Sequence, residues 1–548
     1  QAATALPDAG QTSREVQRNT ELFKPGVVAP LIIGGEAQAA PGSDAAASSV
    51  RIFVKDVRVV GSKAFSAAGL EFLVKGLRGG EHSLAEINTA VATITTWYRE
   101  RGFVVARAYL PAQEINDGVL VVNVLEGLVG AQTTLNRSQL MEPQVKQYLS
   151  QIVAGEAVQA RIIDRALLVL ADTPGVGGAR ASLQPGASVG TTDLLIEIDP
   201  GVPYSATVEA DNFGNRYTGE YRLGASLAVN SPLKRGDQLT VRALTSDQNM
   251  TYARASYQVP LGGDGLRSGV AYFDTRYRLA HEYSPTQSHG SASGASVFAT
   301  YPFIRSQAAN LFGTLTAEQK RFRDEFDFPA TRSDKQIKLI NLGLSGSAQD
   351  TLWGGGSASA EISLISGTLS MDADSLMQDE ASGSANTAGR FSKLGYSLGR
   401  LQRLNDADTM LFQFSGQIAS KNLNSSEKFS LGGANGVRAY PQGEASGDEG
   451  WMLNLEYRRA LAPQLQGFVF YDAGSVAINR NAYLLTANKS LADNTRALAG
   501  AGVGLSAQYK SMQFKATVAW QTQGGSAQAE PASATRNPRF WVQMTDSY

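Results

Sequence analysis

The sequence predicts a transmembrane β-barrel of about 16 antiparallel strands, preceded by two α+β units and a short N-terminal helix. Three observations carry that reading. Hydrophobic residues follow mixed helical and strand periods up to about Pro203, then alternate with period two to the C-terminus. Short turns alternate along this second part with long polar loops, the sorting an outer-membrane barrel shows. No stretch nears the ~18 consecutive apolar residues of a membrane-spanning helix, whereas a spanning strand needs only ~9–11 residues, apolar on alternate positions.

The helix is read in residues 8–24, DAGQTSREVQRNTELFK, which carry Arg14, Glu15, Arg18, Glu21 and Lys24 without an apolar stripe. A helix polar on all sides has no face with which to join a core, so it belongs in a wet environment. Residues 25–49 run through Pro25, Pro30, Gly34, Gly35, Pro41 and Gly42 into an Ala/Ser tract, the composition of a flexible linker.

The first α+β unit spans 50–126 in the order β-α-α-β-β: a strand over 51–60, helices over 66–75 and 83–101, and strands over 103–110 and 118–126. Ser83 followed by Glu86 has capping-box spacing, and Leu84, Ile87, Val91, Ile94 and Tyr98 share one face of the helix that follows. A looser copy spans 127–201, with strands over 128–135, 178–184 and 191–199 and helices over 142–150 and 160–172. Two tandem units of about 75 residues constitute a repeat.

The barrel reading covers 202–548. Tyr221, Leu223, Ala225, Leu227 and Val229 form one face of a strand; Trp451, Leu453, Leu455 and Tyr457 form another, against Asn454, Glu456 and Arg458. Phe514, Ala516, Val518 and Trp520 repeat the pattern. Short turns lie near 231–234, 260–263 and 461–463. Long loops are expected near 281–290, 322–334, 366–389, 421–449, 478–495 and 522–537. A barrel of that size has a polar lumen, so Glu456 and Arg458 need no special role to explain them.

Composition narrows the functional classes. With 49 Lys plus Arg against 50 Asp plus Glu in 548 residues, the chain is nearly neutral and lacks the basic stripe that nucleic acid requires. It has no cysteine, which excludes disulfides and thiolate metal sites. It begins at Gln1 without an apolar leader, as expected of a mature chain whose export signal has been removed, or equally of an edited sequence.

One loop and one strand stand out. The segment Leu431–Pro441, LGGANGVRAYP, is Gly-rich and presents Arg438, whose planar fork suits a carboxylate. Downstream, 467–474 reads GFVFYDAG, and strand parity separates Val469, Tyr471 and Ala473 from Phe468, Phe470 and Asp472. If Tyr471 faces lipid, Asp472 faces the lumen. A carboxylate there wants a partner, which an arginine on an inward-folded loop supplies.

On these residues the chain resembles the TpsB transporters of two-partner secretion, within the superfamily of outer-membrane barrels that carry POTRA domains. The resemblance spans essentially the whole chain. It rests on Val437-Arg438-Ala439-Tyr440, which follows Gly436 and matches the VRG(Y/F) signature of the sixth extracellular loop, and on Phe470-Tyr471-Asp472-Ala473-Gly474, which matches the FxDxG strand pattern. The departure is Ala439, where the family usually has Gly; a residue with a Cβ disfavours positive φ.

The resemblance implies a plug helix in 1–24, a linker in 25–49, POTRA 1 in 50–126, POTRA 2 in 127–201 and a sixteen-stranded barrel in 202–548. It implies that Arg438 pairs with Asp472 to lock the loop to the inner wall. It further implies an outer-membrane pore of a Gram-negative bacterium with its POTRA pair in the periplasm. Such a pore recognises an unfolded secreted exoprotein (an adhesin, haemolysin or contact-dependent toxin) and passes it to the cell surface without nucleotide hydrolysis. No cofactor, metal or nucleic acid is implied, and a lipid-embedded monomer is expected.

Other readings weigh less. A barrel-assembly factor of the same superfamily would tend to carry a different number of POTRA domains and no plug helix, and a passive porin would not need the α+β units. Gly186-Ala187-Ser188-Val189-Gly190 matches the nucleophile-elbow pattern but lies between strand-like segments in a chain whose only histidines are His82, His281 and His289. Those histidines lack metal-ligand spacing, and the acidic loop with Asp372, Asp374, Asp379 and Glu380 lacks the ligand order of a calcium loop.

Overall fold

In the computed structural model, which describes residues 7–17, 32–33, 51–115, 117–328, 330–381, 383–482 and 494–548, the chain opens with helix α1 (Ala9–Gln17) and a two-residue strand β1 (Ile32–Ile33). The first α+β unit comprises β2 (Arg51–Val54), β3 (Asp56–Val60), α2 (Ala67–Leu73), β4 (Gly80–Ser83), α3 (Leu84–Glu100), β5 (Arg107–Tyr109) and β6 (Val119–Leu125). The second comprises β7 (Leu128–Asn136), α4 (Glu142–Leu149), α5 (Ala160–Ala171), β8 (Val176–Pro185) and β9 (Thr191–Pro200).

Local chemistry accounts for the helices. Ser83 accepts from the Glu86 amide while Glu86 accepts from the Ser83 amide, so the capping box satisfies two otherwise orphaned donors at the start of α3. Ile87, Val91, Ile94 and Tyr98 recur on one face of α3 and are buried against β3 and β6 residues such as Val57, Leu120 and Val122. Inside this core the Tyr98 hydroxyl donates to Glu126 at 2.8 Å, and the same carboxylate accepts the amides of Lys63 and Ala64.

The two units share one topology. In the first, β3 runs parallel to β6 and β5 antiparallel to it. In the second, β7 runs parallel to β9 and β8 antiparallel to it. The repeat read from the sequence is therefore a repeat of strand pairing as well.

Several elements depart from expectation. Residues 51–60 form two strands, because the amides of Lys55 and Asp56 both turn to the Gly118 carbonyl and break the run; β2 then pairs with β4. Within 103–110 only β5 is strand, since Phe103 and Ala106 are buried without ladder partners in that stretch. Within 25–49, Ile32 and Ile33 pair in parallel with Ser182 and Leu183 of β8, so this β-branched pair is not free linker. The rest of that segment, and the expected plug residues Arg18 and Glu21, lie outside the described residues.

The barrel begins with β10 (Tyr204–Asp211), β11 (Arg222–Asn230), β12 (Gln238–Ser246), β13 (Thr251–Pro260), β14 (Arg267–Arg278) and β15 (His289–Arg305). It continues with β16 (Ala309–Asp327), β17 (Ala330–Asp350), β18 (Gly356–Met371), α6 (Ala373–Glu380), β19 (Gly389–Arg403) and β20 (Asp408–Ala419). The short pair β21 (Phe429–Ser430) and β22 (Ser446–Gly447) lies within the next loop. Then come β23 (Glu449–Ala462), β24 (Leu465–Ala477), β25 (Thr495–Tyr509), β26 (Met512–Gln523) and β27 (Arg539–Ser547). Leaving out β21 and β22, β10 to β27 form one closed antiparallel barrel of 16 strands, sealed where β10 pairs with β27.

Alternation sorts the two faces of the wall. On β14, Val270 and Tyr272 are exposed outward while Ala271, Phe273, Thr275 and Tyr277 are buried inward. Residues 322–334, expected as a loop, are instead mostly the paired ends of β16 and β17. Charged residues crowd these ends where apolar residues would be read as strand, and cross-strand pairs such as Arg323 to Asp334 at 2.8 Å hold them. Likewise 366–389 is the end of β18, then α6, and β19 begins at Gly389.

The end of the barrel nearest the α+β units is fastened to the second one. Arg165 on α5 donates to the Pro302 carbonyl at 2.7 Å, and the Met141 amide donates to the Lys234 carbonyl at 3.0 Å. Arg305 makes two hydrogen bonds to Asp172 at 2.7 and 2.9 Å. Helix α1 lies in the lumen against inward-facing residues of β14, β15 and β16; its Ala9 amide donates to Asp324 at 2.8 Å.

Candidate functional site: a loop locked to the inner wall

The loop joining β20 to β23 folds inward instead of extending beyond the barrel. Its base is pinned by charge: Glu427, buried, faces Lys320 of β16 at 3.1 Å and Lys393 of β19 at 2.9 Å. Beside it Ser425 donates to both carboxylate oxygens of Asp8 at 2.7 Å. Arg14 of α1 donates to the Ser425 and Lys428 carbonyls at 2.5 and 2.9 Å and to Ser446 at 3.1 Å. The helix in the lumen therefore holds the loop, and the loop holds the helix.

The tip is a tight fold made by glycines. Val437 donates its amide to the Leu431 carbonyl at 2.8 Å, and Gly436 its amide to Gly433 at 3.0 Å. A Cβ added at Gly436 would come within 1.9 Å of the Leu431 oxygen, so no side chain fits there. Gly474 gives similar room on the wall, where a Cβ would approach the Leu431 side chain to 2.6 Å. Val437 and Ala439 are buried, and Ala439 does not adopt positive φ. The methyl of Ala439 sits over Gly500 of β25, where an added Cβ would reach 2.4 Å from it.

Arg438 occupies the centre. Its Nε and Nη2 each donate to Asp472 at 2.8 Å, and its own amide donates to the same carboxylate at 3.1 Å. Nη1 donates to Glu456 at 2.8 Å, and the guanidinium carbon lies 3.5 Å from the centroid of the Phe470 ring. This combines a bidentate fork, a second carboxylate and an aromatic face, a set that the ammonium of lysine cannot satisfy at once. Tyr440 donates from its hydroxyl to the Gln523 and Gly525 carbonyls at 2.8 and 2.9 Å, reaching β26.

Sequence reasoning passed over three members of this network. Glu456, treated as an ordinary lumen charge, bridges Arg438 and Arg458, the latter at 2.6 Å. Asn454 donates to Asp472 at 2.8 Å and to the Gly436 carbonyl at 3.0 Å. Trp541, on the last strand, donates its indole N–H to the Arg438 carbonyl at 2.7 Å. Asn454 and Glu456 were detectable, since they share the inward face of one strand; β23–β24 register places them opposite Asp472 and Phe470.

The competing motifs find no support in the geometry. Ser188 lies in the exposed β8–β9 turn, where its backbone is engaged with Thr191. His82 lies beside Glu86 in the first unit and His289 beside Glu325 on the barrel. No metal-ligating cluster occurs among the described residues. Asp372 caps α6 through the Ser375 amide, and Asp379 accepts the amides of Thr387 and Ala388, so two of the loop carboxylates are spent on local structure.

Comparison with known proteins agrees with this architecture. Residues 190–507 match the haemolysin secretion/activation protein family ShlB/FhaC/HecB, and residues 52–127 match a POTRA domain of the ShlB type. The heme/hemopexin transporter protein HuxB of Haemophilus influenzae is 30% identical over 443 residues, covering 80% of this chain and 77% of that one. The outer membrane transporter CdiB of Dickeya dadantii is 24% identical over 456 residues, with the same coverages of 80% and 77%. The solved structure of CdiB from Escherichia coli superposes with a TM-score of 0.74 at 18% identity, covering 99% of this chain and 96% of that one.

The α+β units are thus POTRA domains in the periplasm, the far end of the barrel faces the exterior, and the chain belongs to the haemolysin secretion/activation family, the outer-membrane transporters of secreted partner proteins.

Proposed function

We propose that this transporter takes an unfolded exoprotein by strand addition on its POTRA sheets and threads it through the barrel without nucleotide hydrolysis, working as a lipid-embedded monomer. In this reading 1–24 is the plug, 25–49 its tether, 50–126 and 127–201 the docking domains, and 202–548 the pore. Arg438, with Asp472, Glu456, Phe470 and Tyr440, holds the loop to the wall while the plug leaves. Partners of the adhesin, haemolysin or contact-dependent toxin kind fit this role, and the energy of transport would come from folding of the exoprotein outside.

The observation that carries the proposal is the mutual grip of α1 and the loop base. Asp8 and Arg14 hold Ser425, Lys428 and Ser446 through polar contacts that water can replace, so the helix can exchange between lumen and solvent. Strand addition draws support from β1, which already lies along the β8 edge as an added strand.

The chain contains no native cysteine, so a thiol tether can be placed cleanly. In an Asp8→Cys/Ser425→Cys variant, a short reducible thiol cross-linker should stop secretion of the exoprotein, and reductant should restore it. Undiminished secretion with the tether closed would show that α1 need not leave.

A further inference from the structure

Across the outer face of the barrel runs a groove of about 990 Å3. It exists because small residues take outward positions on neighbouring strands: Ala295 on β15, Ala317 on β16 and Ser366 on β18. Bulkier outward neighbours, among them Tyr272, Val297 and Ile340, form its banks and are exposed to the membrane. Register fixes its course. Successive strands pair Tyr272 with Ala295, Ala295 with Gln319, Gln319 with Lys338, Lys338 with Thr368, and Thr368 with Arg390. Because strands tilt in a barrel, such a row climbs from one leaflet toward the other.

The upper end of the groove is cationic. Lys338 lies two residues closer to the exterior than Ile340 on β17, about 7 Å above that apolar position at the strand rise. Arg390 lies two strands away, about 10 Å at the usual interstrand spacing. Arg321 faces the same side, diagonal to Lys338. All three are exposed, and none makes an ion pair among the described residues. The cations higher on the same wall differ: Arg323 and Arg332 are both engaged by Asp334, at 2.8 and 2.5 Å. Uncompensated positive charge thus collects at the end of the apolar channel nearer the exterior.

We propose that this groove is a binding site for an outer-leaflet lipid whose headgroup carries phosphate monoesters, as lipopolysaccharide does. An acyl chain lies along Ala295, Ala317 and Ser366, and the phosphates meet Lys338, Arg390 and Arg321. Charge complementarity selects this occupant. A zwitterionic lipid brings a single phosphate charge already offset by its own ammonium, whereas phosphate monoesters bring the net negative charge that three guanidinium and ammonium groups bind through charge-assisted hydrogen bonds. The site is separate from the lumen and from the loop lock, so it stands whether or not the transport scheme above holds.

The test uses the full-length chain in detergent, with native mass spectrometry reading bound lipid. Three probes are added separately: diphosphoryl lipid A, the same lipid with its phosphates removed, and inorganic phosphate. The unaltered chain should retain diphosphoryl lipid A at least fivefold more than the dephosphorylated form. Lys338→Gln/Arg390→Gln should abolish that preference. Ala317→Trp, which fills the channel and leaves all three cations in place, should reduce binding of both lipids, and Arg403→Gln at the periplasmic end should change nothing. Equal retention of the two lipids by the unaltered chain would reduce the groove to a general lipid-facing surface and overturn the proposal. Displacement of lipid A by inorganic phosphate would overturn it in favour of a free-anion site. The lipid comparison on the unaltered chain is independent of whether any variant folds.

Discussion

Arg305 at the foot of β15 grips Asp172 at the end of α5 through two parallel hydrogen bonds of 2.7 and 2.9 Å, with both side chains almost fully buried. A carboxylate at the C-terminal end of a helix opposes the helix dipole, so α5 gains nothing locally from Asp172. The residue makes sense as the anchor of POTRA 2 on the barrel rim. Removing one partner of a buried pair costs about 3–5 kcal/mol. Arg305→Ala should therefore loosen the junction while leaving the barrel closed. Spin labels at Val153 and Leu352, both exposed, should report a broadened distance distribution. A distribution as narrow as the parent's would mean that Arg165 and Met141 suffice.

Arg438→Lys keeps the charge and loses the fork. The ammonium can reach Asp472 or Glu456 but cannot span both carboxylates and the Phe470 face. Loss of charge-assisted hydrogen bonds of this kind costs about 1.5–3 kcal/mol, enough to leave the loop tip unlocked in part of the population. Secretion of the exoprotein should fall sharply although the folded barrel still migrates as such in unheated gels. Glu456→Gln should be milder, because Asp472 retains its hold. Equal effects of the two changes would contradict the ranking.

Gly500→Ala tests the packing of the tip on the wall. Its new Cβ would approach that of Ala439 to 2.4 Å, an overpacking that costs about 1–3 kcal/mol. Secretion should drop, and adding Ala439→Gly should recover most of it by returning the space. Failure of the second change to rescue the first would place the defect in the β25–β26 ladder instead of the loop.

POTRA 1 should respond to alkali through one tyrosine. Burial pushes the Tyr98 hydroxyl up to about 12, with the Glu126 carboxylate beside it acting in the same direction. The neutral form is favoured by the fold, so this stabilisation is complete below the ordinary tyrosine pKa of about 10 and disappears as pH rises through about 12. Tyr98 should be among the last tyrosines to ionise by tyrosinate absorbance, and hydrogen exchange in α3 should accelerate over that window. In Tyr98→Phe the alkaline dependence should vanish, at a cost of about 1 kcal/mol for the lost hydrogen bond. An unchanged alkaline profile in that variant would assign the transition to another group.

Much of this architecture is local in origin and was legible without coordinates. The α3 capping box, the helical face from Ile87 to Tyr98 and the inward-facing Asp472 each follow from spacing within one element. Charged strand ends were not legible: β16 and β17 continue through residues whose polarity marks a loop, because cross-strand pairs replace apolar alternation there. The β1 strand was hidden for a related reason, since two isoleucines become a strand only when the β8 edge is beside them.

Sequence by itself determined the period-two wall, the paired α+β units and which face of β24 carries a carboxylate, since these depend on neighbours along the chain. Tertiary structure decided what that carboxylate meets. Asn454 joins it through strand register and Arg438 through the inward fold of a loop, while Glu456 and Trp541 reach Arg438 itself, contacts spanning 18 to 103 residues. The outer groove likewise arises only when small residues on successive strands fall into one row. Periodicity constrains a residue's face, and only the closed hydrogen-bonded register constrains its company.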